Sequence, residues 1–489
     1  MEIIELIAHD GSVVKYENKT RASGGVKDVF FDSDRSHAVC FYRKDIGQNG
    51  LDRLLTIVNN YRKSVFGKSG GKYWQTRILF PTKIVKNHKG KIGVVVPFYP
   101  SNYFFSGGSL AGKEKKLAWF IKPTPRKMLP PLEKGTLKKT LLVCIQIARI
   151  IKRLHAMGLA HSDLSCNNLL IDLQKGTVIL IDNDGLVIPD KFPPDVLGTP
   201  EYIAPEVYKT INLKSTDPQK NKPNQKTDLH ALAVIIYMLL FKRHPLIGQK
   251  VHHPNPATDN ELLMGEKALF IEHPKDSSNR PIQEAKNQPW CNVEKLPHKI
   301  VGKQLAGLFE RAFVQGLHKP NQRPIANEWE YTLNKTLDLL LPCGNPKCEE
   351  EWFVFTGHKK AQCPYCSWKL TGQLPILNFY SFNQKAKKYV SNHKQLIVYE
   401  GQHLYPWHIF SDVSQSELLE EQRQKPIGHF CRQKQKWHFI KMNHQLAHEI
   451  SNGHTQLLKG KQITLYNGMK ILFGKPPNGN LVLVQIVNF

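Results

Sequence analysis

His161-Ser-Asp-Leu-Ser-Cys-Asn-Asn168 is the most informative stretch of this sequence. It sets a carboxylate, Asp163, five residues before an amide, Asn168, and two apolar runs follow, the second ending at Asp182. A hairpin made of these two runs would bring Asn168 and Asp182 to the same end of the paired strands. Mg²⁺ takes one or two carboxylates and fills its remaining positions with phosphate oxygens and water. The pattern therefore predicts a magnesium site at that end of the hairpin.

A third block, Gly198-Thr-Pro-Glu-Tyr-Ile-Ala-Pro-Glu206, follows at a workable spacing. In this order, the three blocks resemble the catalytic loop, the magnesium-binding strand end and the substrate-loop anchor of a Hanks-type protein kinase. The resemblance implies ATP and Mg²⁺ as cofactors, with Asp163 orienting the acceptor hydroxyl and with Asn168 and Asp182 holding magnesium. The strand end reads Asp-Asn-Asp-Gly where the family has Asp-Phe-Gly, so Asp184 remains the alternative metal ligand.

The same resemblance assigns structural roles to three charged residues. Asp228 corresponds to the acid that hydrogen-bonds the catalytic-loop backbone, and Glu206 would pair with Arg323 to anchor the substrate loop. Small-molecule kinases of related fold lack this anchored loop. A protein substrate is therefore favoured, and the acceptor is predicted to be serine or threonine.

The segment 23–30 reads Ser-Gly-Gly-Val-Lys-Asp-Val-Phe and corresponds to the phosphate loop. Gly24 and Gly25 would let the backbone approach the nucleotide phosphates closely, and Val29 would cover the adenine. Adjacent glycines alone are a weak signal, because any tight turn uses them.

The strand that normally carries the phosphate-binding lysine has Cys40 in its place. With-no-lysine kinases show the same cysteine together with a lysine moved into the glycine-rich loop, which here is Lys27. A flexible ammonium can reach the phosphates from either side, so Lys27 is predicted to replace the missing lysine. Lys44 is the runner-up, and a solvated loop lysine is the alternative for Lys27. The helical acid that should pair with this lysine is unclear, with Asp52 a candidate.

Two further departures from the family concern regulation. Ser162 stands where many kinases carry an arginine that binds a phosphorylated activation loop, and residues 183–198 contain no Ser, Thr or Tyr. We therefore expect activity that does not depend on activation-loop phosphorylation. Ser165 replaces the lysine that serine/threonine kinases place two residues after the catalytic aspartate, which leaves open the rival reading of a pseudokinase scaffold.

Four of the nine cysteines form a compact cluster: Cys343, Cys348, Cys363 and Cys366. Cys-x4-Cys and Cys-x2-Cys knuckles separated by 14 residues put four thiolates at tetrahedral distance, which suits Zn²⁺ in a zinc ribbon. A closed four-cysteine site is structural, and its zinc would supply folding energy that so small a module cannot obtain from a core. The alternative is a pair of disulfides.

The C-terminal part of the chain is rich in short strand patterns. Its latter half resembles the end of a forkhead-associated β-sandwich, although the phosphate-gripping motifs of that family are not recognisable before Trp437. The order kinase, ribbon and β domain resembles bacterial kinases encoded beside a von Willebrand A protein and a metal-dependent protein phosphatase in tellurium-resistance-like clusters. That resemblance implies these two proteins as partners and a role in stress signalling.

The predicted fold class is α+β: a bilobal protein kinase followed by a zinc ribbon and a β-rich domain. Predicted boundaries are 1–125 for the N-lobe, 126–340 for the C-lobe, 341–375 for the ribbon and 376–489 for the β domain. The predicted helices are 51–62, 141–155, 228–241, 305–314 and 326–340, and the predicted strands include 26–31, 37–42, 77–85, 91–98 and 396–399.

Composition sets the remaining limits. The net charge of +27 is spread along the chain, which allows anionic partners but is also met by simple solvated lysines, so nucleic acid is an unfavoured partner. No stretch of about 20 apolar residues and no secretory pattern are present, so the expected location is the cytoplasm and no membrane span is expected.

Overall fold

A computed structural model describes residues 2–23, 26–67, 70–188, 191–192, 197–281, 292–357, 361–413, 425–442, 447–451 and 454–489. The chain divides into two compact units. The first comprises Met1–Gly135, Leu142–Glu294 and Gly307–Trp329, and the second Thr136–Leu141, Lys295–Ala306 and Glu330–Phe489. Every helix among the described residues is too short or too polar to traverse a lipid bilayer.

The first unit begins with antiparallel strands. They are β1 (Ile3–Ile7), β2 (Val13–Glu17), β3 (Ala22–Ser23), β4 (Lys27–Phe31), β5 (His37–Tyr42), β6 (Lys83–Lys86) and β7 (Ile92–Pro97). β1 pairs with β2, and the other five form a sheet in the order β3-β4-β5-β7-β6. Val39 and Phe41 lie two residues apart on one face of β5, and with Val95 of β7 they form a core with residues of the β1–β2 hairpin such as Leu6 and Val14. The predicted hairpin of 26–31 and 37–42 is confirmed as β4–β5.

The segment 77–85 was predicted to be one strand, and only its end is. Pro81 interrupts it, and pairing begins at Lys83. The preceding residues make a single bridge, between Ile78 and Leu180. The predicted helix over 51–62 is present as α1 (Gly47–Thr56), a π-helical turn over Ile57–Tyr61, and α2 (Arg62–Phe66).

Further α-helices follow α2, together with another short hairpin. They are α3 (Gly71–Gln75), α4 (Ala118–Ile121), α5 (Pro123–Lys127), α6 (Leu137–Ala156), α7 (Pro205–Tyr208), α8 (Gln225–Phe241), α9 (Pro256–Met264), α10 (Lys303–Glu310) and α11 (Ala326–Asp338). The hairpin consists of β8 (Leu169–Asp172) and β9 (Thr177–Leu180). α8 is buried from Thr227 to Phe241, and its N-terminus is closed by a capping box between Asn224 and Thr227.

The second unit is rich in strands. They are β10 (Leu340–Pro342), β11 (Trp352–Val354), β12 (Gln373–Asn383), β13 (Lys388–Ile397), β14 (His403–Leu404), β15 (Gly428–Gln433), β16 (Lys436–Lys441), β17 (Ala447–Ser451), β18 (His454–Leu457), β19 (Gln462–Thr464), β20 (Lys470–Phe473) and β21 (Leu481–Asn488), with one short helix, α12 (Pro406–Ile409). A six-stranded sheet has the order β13-β12-β21-β20-β17-β18, and a four-stranded sheet has the order β14-β15-β16-β19. Residues of both sheets, such as Phe379, Phe439 and Val482, share one core. The sequence patterns did not predict β12.

Candidate active site and candidate metal centre

Lys27 lies at the start of β4, opposite Tyr42 at the end of β5, while Val29 lies opposite Cys40. The Lys27 Nζ atom donates to Asp182 Oδ1 at 2.5 Å and to Asp184 Oδ1 and Oδ2 at 2.8 and 2.9 Å. Lys27 and Val29 share a face of the strand, because side chains two residues apart point the same way. The Lys27 side chain therefore lies on the same face of the sheet as Cys40 and reaches Asp182 and Asp184, which follow β9. Gly24 and Gly25 lie outside the described residues.

Asp184 is the more deeply buried acid. Its side chain is 5% exposed, against 45% for Asp182. The Tyr42 hydroxyl donates to Asp184 Oδ2, the oxygen opposite the one closest to Lys27. Burial alone would raise the pKa of Asp184, but the charge of Lys27 and the hydrogen bonds from Lys27 and Tyr42 outweigh it and lower that pKa to about 2. Asp184 is thus an ionised carboxylate with protein donors on both oxygens.

The pKa of Asp182 is shifted in the opposite direction. Burial and the charge of Asp184 raise its pKa in spite of the hydrogen bond from Lys27. Its backbone is left-handed, with φ 63° and ψ 44°, a conformation uncommon outside glycine and asparagine. This residue turns the chain from β9 into the 3₁₀ turn Asn183–Gly185. Asn183 fixes that turn, since its amide donates to the carbonyls of Leu79 and Leu180 at 3.0 Å each.

Cys40 is unsuited to binding phosphate. Burial raises the pKa of its thiol to about 12, although the nearby charge of Lys27 acts in the opposite direction. Lys44 is exposed and lies beyond the last residue of β5. Between the two lysines that the sequence analysis left open, Lys27 is the one that the structure places against the acids.

Asp52 does not pair with Lys27. Its carboxylate accepts a hydrogen bond from Gln48 within α1. The next residue, Arg53, is the buried one, and the negative charge of Asp184 acts on its guanidinium. The acids that contact Lys27 lie directly after β9 and not on α1. The periodicity of the helix in the sequence could not reveal this pairing.

The catalytic-loop carboxylate is held by two side chains. Thr199 Oγ1 donates to Asp163 Oδ1 at 2.6 Å, and Asn168 Nδ2 donates to Asp163 O at 2.8 Å and to Oδ2 at 3.2 Å. The Ile181 N–H donates to the Asn168 carbonyl at 3.0 Å, which brings Asn168 next to the residue before Asp182. Sequence reasoning missed Thr199, although it lies in the third quoted block.

The buried acid Asp228 holds the backbone at the start of the catalytic loop. Asp228 accepts hydrogen bonds from the backbone N–H of His161 at 2.8 Å and of Ser162 at 3.2 Å. Ser162 has a φ of 64°, so these two bonds hold a turn that its backbone alone would not prefer. The predicted structural role of Asp228 is confirmed.

The predicted ion pair between Glu206 and Arg323 is present and bidentate. Both nitrogen–oxygen distances are 2.7 Å, and the Arg323 side chain is fully buried. The guanidinium also donates to the carbonyls of Gly316, Leu317 and Lys226. All its donors are thereby used, which fixes the start of α7 and the loop before it.

A cleft of about 370 Å³ is lined in part by Thr199, the residue that donates to Asp163. Its walls are formed by α4 and α5, by Cys166 and Asn167 of the catalytic loop, and by the Thr199–Tyr202 segment. Trp119 and Tyr202 give it aromatic walls, and the Lys122 ammonium lies 3.6 Å from Glu201 at its edge.

The four clustered cysteines come together in the second unit. Their sulfur atoms lie within 4.8 Å of one another, with Cys343–Cys366 at 3.4 Å and Cys348–Cys363 at 3.9 Å. A tetrahedron with metal–sulfur bonds of about 2.3 Å has edges of about 3.8 Å, so this donor set fits Zn²⁺. A disulfide needs about 2.05 Å, and all four thiols are free.

Comparison with known proteins finds similarity in the middle part of the chain. Residues 127–295 match the model of the protein kinase domain. The chain is 27% identical over 179 residues to the serine/threonine-protein kinase RAD53 of Saccharomyces cerevisiae (32% of this chain, 21% of that protein). It is 28% identical over 167 residues to the serine/threonine-protein kinase PknD of Chlamydia abortus (29% and 16%), and 30% identical over 118 residues to the meiosis-specific serine/threonine-protein kinase mek1 of Schizosaccharomyces pombe (23% and 26%). The chain thus spans about a quarter or less of the length of these relatives. It contains a protein kinase domain, and the proteins that it resembles there are serine/threonine protein kinases.

Proposed function

We propose that this chain is an ATP- and Mg²⁺-dependent protein kinase that phosphorylates serine or threonine. The observation that carries the proposal is the arrangement around two carboxylates: Asp163, held by Thr199 and Asn168, and Asp182, contacted by Lys27. Phosphoryl transfer needs this kind of positioning more than it needs covalent chemistry from the protein.

ATP with Mg²⁺, when bound, supplies the γ-phosphoryl group and the cation that offsets its negative charge. Asn168 and Asp182 would hold the cation, and Lys27 would hold phosphate oxygens. Asp163 orients the acceptor hydroxyl and takes its proton as the new oxygen–phosphorus bond forms and the bond to the departing nucleotide breaks. Val29, in β4 above this site, would contact the adenine, with Gly24 and Gly25 beside the phosphates.

Between the two acids of the turn, we assign the metal to Asp182 and a positioning role to Asp184. Asp182 is the exposed carboxylate, whereas both oxygens of Asp184 already accept hydrogen bonds from Lys27 and Tyr42. Asp184 would thus hold Lys27 in place, which in other kinases is the role of an acid on the helix.

The test is a radiolabelled ATP assay on the full chain with Mg²⁺, using autophosphorylation and a generic basic protein as acceptors. We expect transfer to be lost in Asp163→Asn and in Lys27→Met and to be kept in Lys44→Met, which removes an equivalent charge just beyond β5. Phosphoamino-acid analysis of the product should find phosphoserine or phosphothreonine.

The rival is a pseudokinase scaffold, which the missing strand lysine and Ser165 favoured in the sequence. Transfer by the wild-type chain that survives Asp163→Asn would point to a contaminating kinase. ATP binding without transfer, even with partner proteins present, would replace the proposed activity by the scaffold.

The remaining assignments are proposals that rest on the patterns of the sequence and on family resemblance. They are the four-part division at residues 125, 340 and 375, a zinc ribbon followed by a partly forkhead-associated-like domain, and a cytoplasmic role in bacterial stress signalling. A von Willebrand A protein and a metal-dependent phosphatase are the proposed partners. Co-purification of the full chain with each of them, compared with a variant lacking residues 376–489, would test the partner assignment.

A further inference from the structure

The second unit contains a cavity of about 190 Å³ that has no part in the proposed phosphoryl transfer. Its walls are the first turn of α10, the last turn of α11, the segment that follows β11, and the middle of β13. Pockets for whole drug-sized ligands begin at about 300 Å³, so this one suits a small group and not a complete nucleotide.

An irregularity in β13 shapes one wall. His393, Lys394 and Gln395 all line the cavity, although consecutive residues of a regular strand point to opposite faces. The register between β12 and β13 shifts at this point, so that Lys394 lies opposite Phe379 and Ser391 lies opposite Tyr380. This bulge is fixed by the Asn392 side chain, which accepts from the Lys394 N–H at 3.0 Å. The β-bulge in β13 therefore places Lys394 at the cavity.

The cavity is strongly basic. Lys303, Lys335 and Lys394 line it together with His393. Burial and the charge of Lys394 lower the pKa of Lys335, and burial lowers the pKa of Lys394. Asp338 is the acid in the wall, and its Oδ1 atom lies 3.3 Å from His408 Nε2. Within the described part of the chain, neither half-buried ammonium has a carboxylate at ion-pair distance. The charge of Asp338 acts favourably on both ammonium groups, but a single carboxylate that is itself shared with His408 offsets the three lysines only in part.

The backbone adds to this positive field. α10 begins at Lys303, so the first N–H groups of the helix have no carbonyl acceptor within it, and its N-terminal end carries a partial positive charge. A tetrahedral dianion would offset the lysine charges and accept from several donors at once. A carboxylate has one negative charge and fewer acceptor positions, and is the poorer match.

We propose that this lysine-lined cavity binds a phosphoryl group. Two sources share that chemistry: a phosphorylated side chain of a protein, and free inorganic phosphate. The site lies on α10, α11 and β13, and it is independent of the kinase activity.

The test is isothermal titration of the full chain with inorganic phosphate, and then with a phosphothreonine peptide library and its unphosphorylated counterpart. The double variant Lys335→Met/Lys394→Met is compared with Lys388→Met/Lys436→Met, which removes two exposed lysines from β13 and β16. We expect the first pair to weaken phosphate binding by at least about tenfold, the usual scale for losing a charged hydrogen-bond donor, and the second pair to leave it unchanged.

The peptide arms separate the two sources. If the phosphorylated library binds, its unphosphorylated counterpart does not, and added inorganic phosphate displaces it, the ligand is a modified side chain. If inorganic phosphate binds and neither library does, the ligand is the free ion. Equal affinity in the two double variants, or no binding by the wild-type chain, overturns the proposal. A melting curve of each variant shows whether it folds. If the double variant does not, Lys394→Gln, which keeps the side-chain volume and a donor but removes the charge, takes its place.

Discussion

Replacing Asp184 by Asn should destabilise the first unit by an amount that depends on pH. Its carboxylate is buried between Lys27 and Tyr42, and its pKa falls from the ordinary value of 3.8 to about 2. A depression of that size corresponds to about 2 kcal/mol of stability. Because the folded-state pKa is the lower one, this stability is present above about pH 4 and is lost as the pH falls towards about 2.

Asp182→Asn is the matched control. The pKa of Asp182 is raised, so its ionised form adds no stability at neutral pH, and its removal should leave the unit as stable as before or slightly more so. The expected activities reverse this order. Asp182→Asn should abolish turnover through loss of the proposed metal ligand, whereas Asp184→Asn should chiefly raise KM for ATP through misplacement of Lys27.

The assay must report the first unit alone, because a chain of two units need not unfold in one step. Pulsed hydrogen exchange with mass spectrometry meets this need when it is read on peptides that cover 26–42 after equilibration in urea at pH 7 and at pH 3. The cost of Asp184→Asn should be about 2 kcal/mol at pH 7 and clearly smaller at pH 3. An equal cost for both asparagine variants, or a cost that does not change with pH, would refute the reasoning.

Three further predictions follow from single contacts. Thr199→Ala should lower kcat with little change in KM for ATP, because the hydroxyl orients Asp163; Thr199→Ser should restore the rate, which a purely structural defect would not allow. Glu206→Gln should destabilise the first unit by about 3–5 kcal/mol, the usual cost of leaving a buried charge such as Arg323 without its partner, and a melting temperature unchanged from wild type would contradict this. Cys363→Ser should reduce the zinc content from one ion per chain to none and expose residues 341–375 to protease, whereas Cys431→Ser should change neither; retention of zinc by the first variant would exclude the four-cysteine site.

Parts of the fold could be predicted because their signals are local. The β4–β5 hairpin and α8 are continuous runs of residues whose period and propensity agree with their burial. The long strand β12 was missed because its 11 residues include a proline and lack regular alternation. β12 is stabilised by pairing with β13 on one side and with β21 on the other. Because β21 is about 100 residues away in the sequence, no local pattern around β12 indicates this pairing.

The sequence by itself determined the set of chemical groups: Asp163, Asn168 and Asp182 in a fixed order, a lysine within the segment 23–30, and four cysteines in two knuckles. Spacing sufficed there because neighbouring residues on one hairpin or one knuckle cannot lie far apart. Only the tertiary structure decided which of those groups contact one another. It gave Asp184, and not Asp52, to Lys27, put the Thr199 hydroxyl on Asp163, and gathered three lysines around a cavity in the second unit. Each of these contacts joins residues far apart along the chain, and burial sets its strength, so no local pattern in the sequence records it.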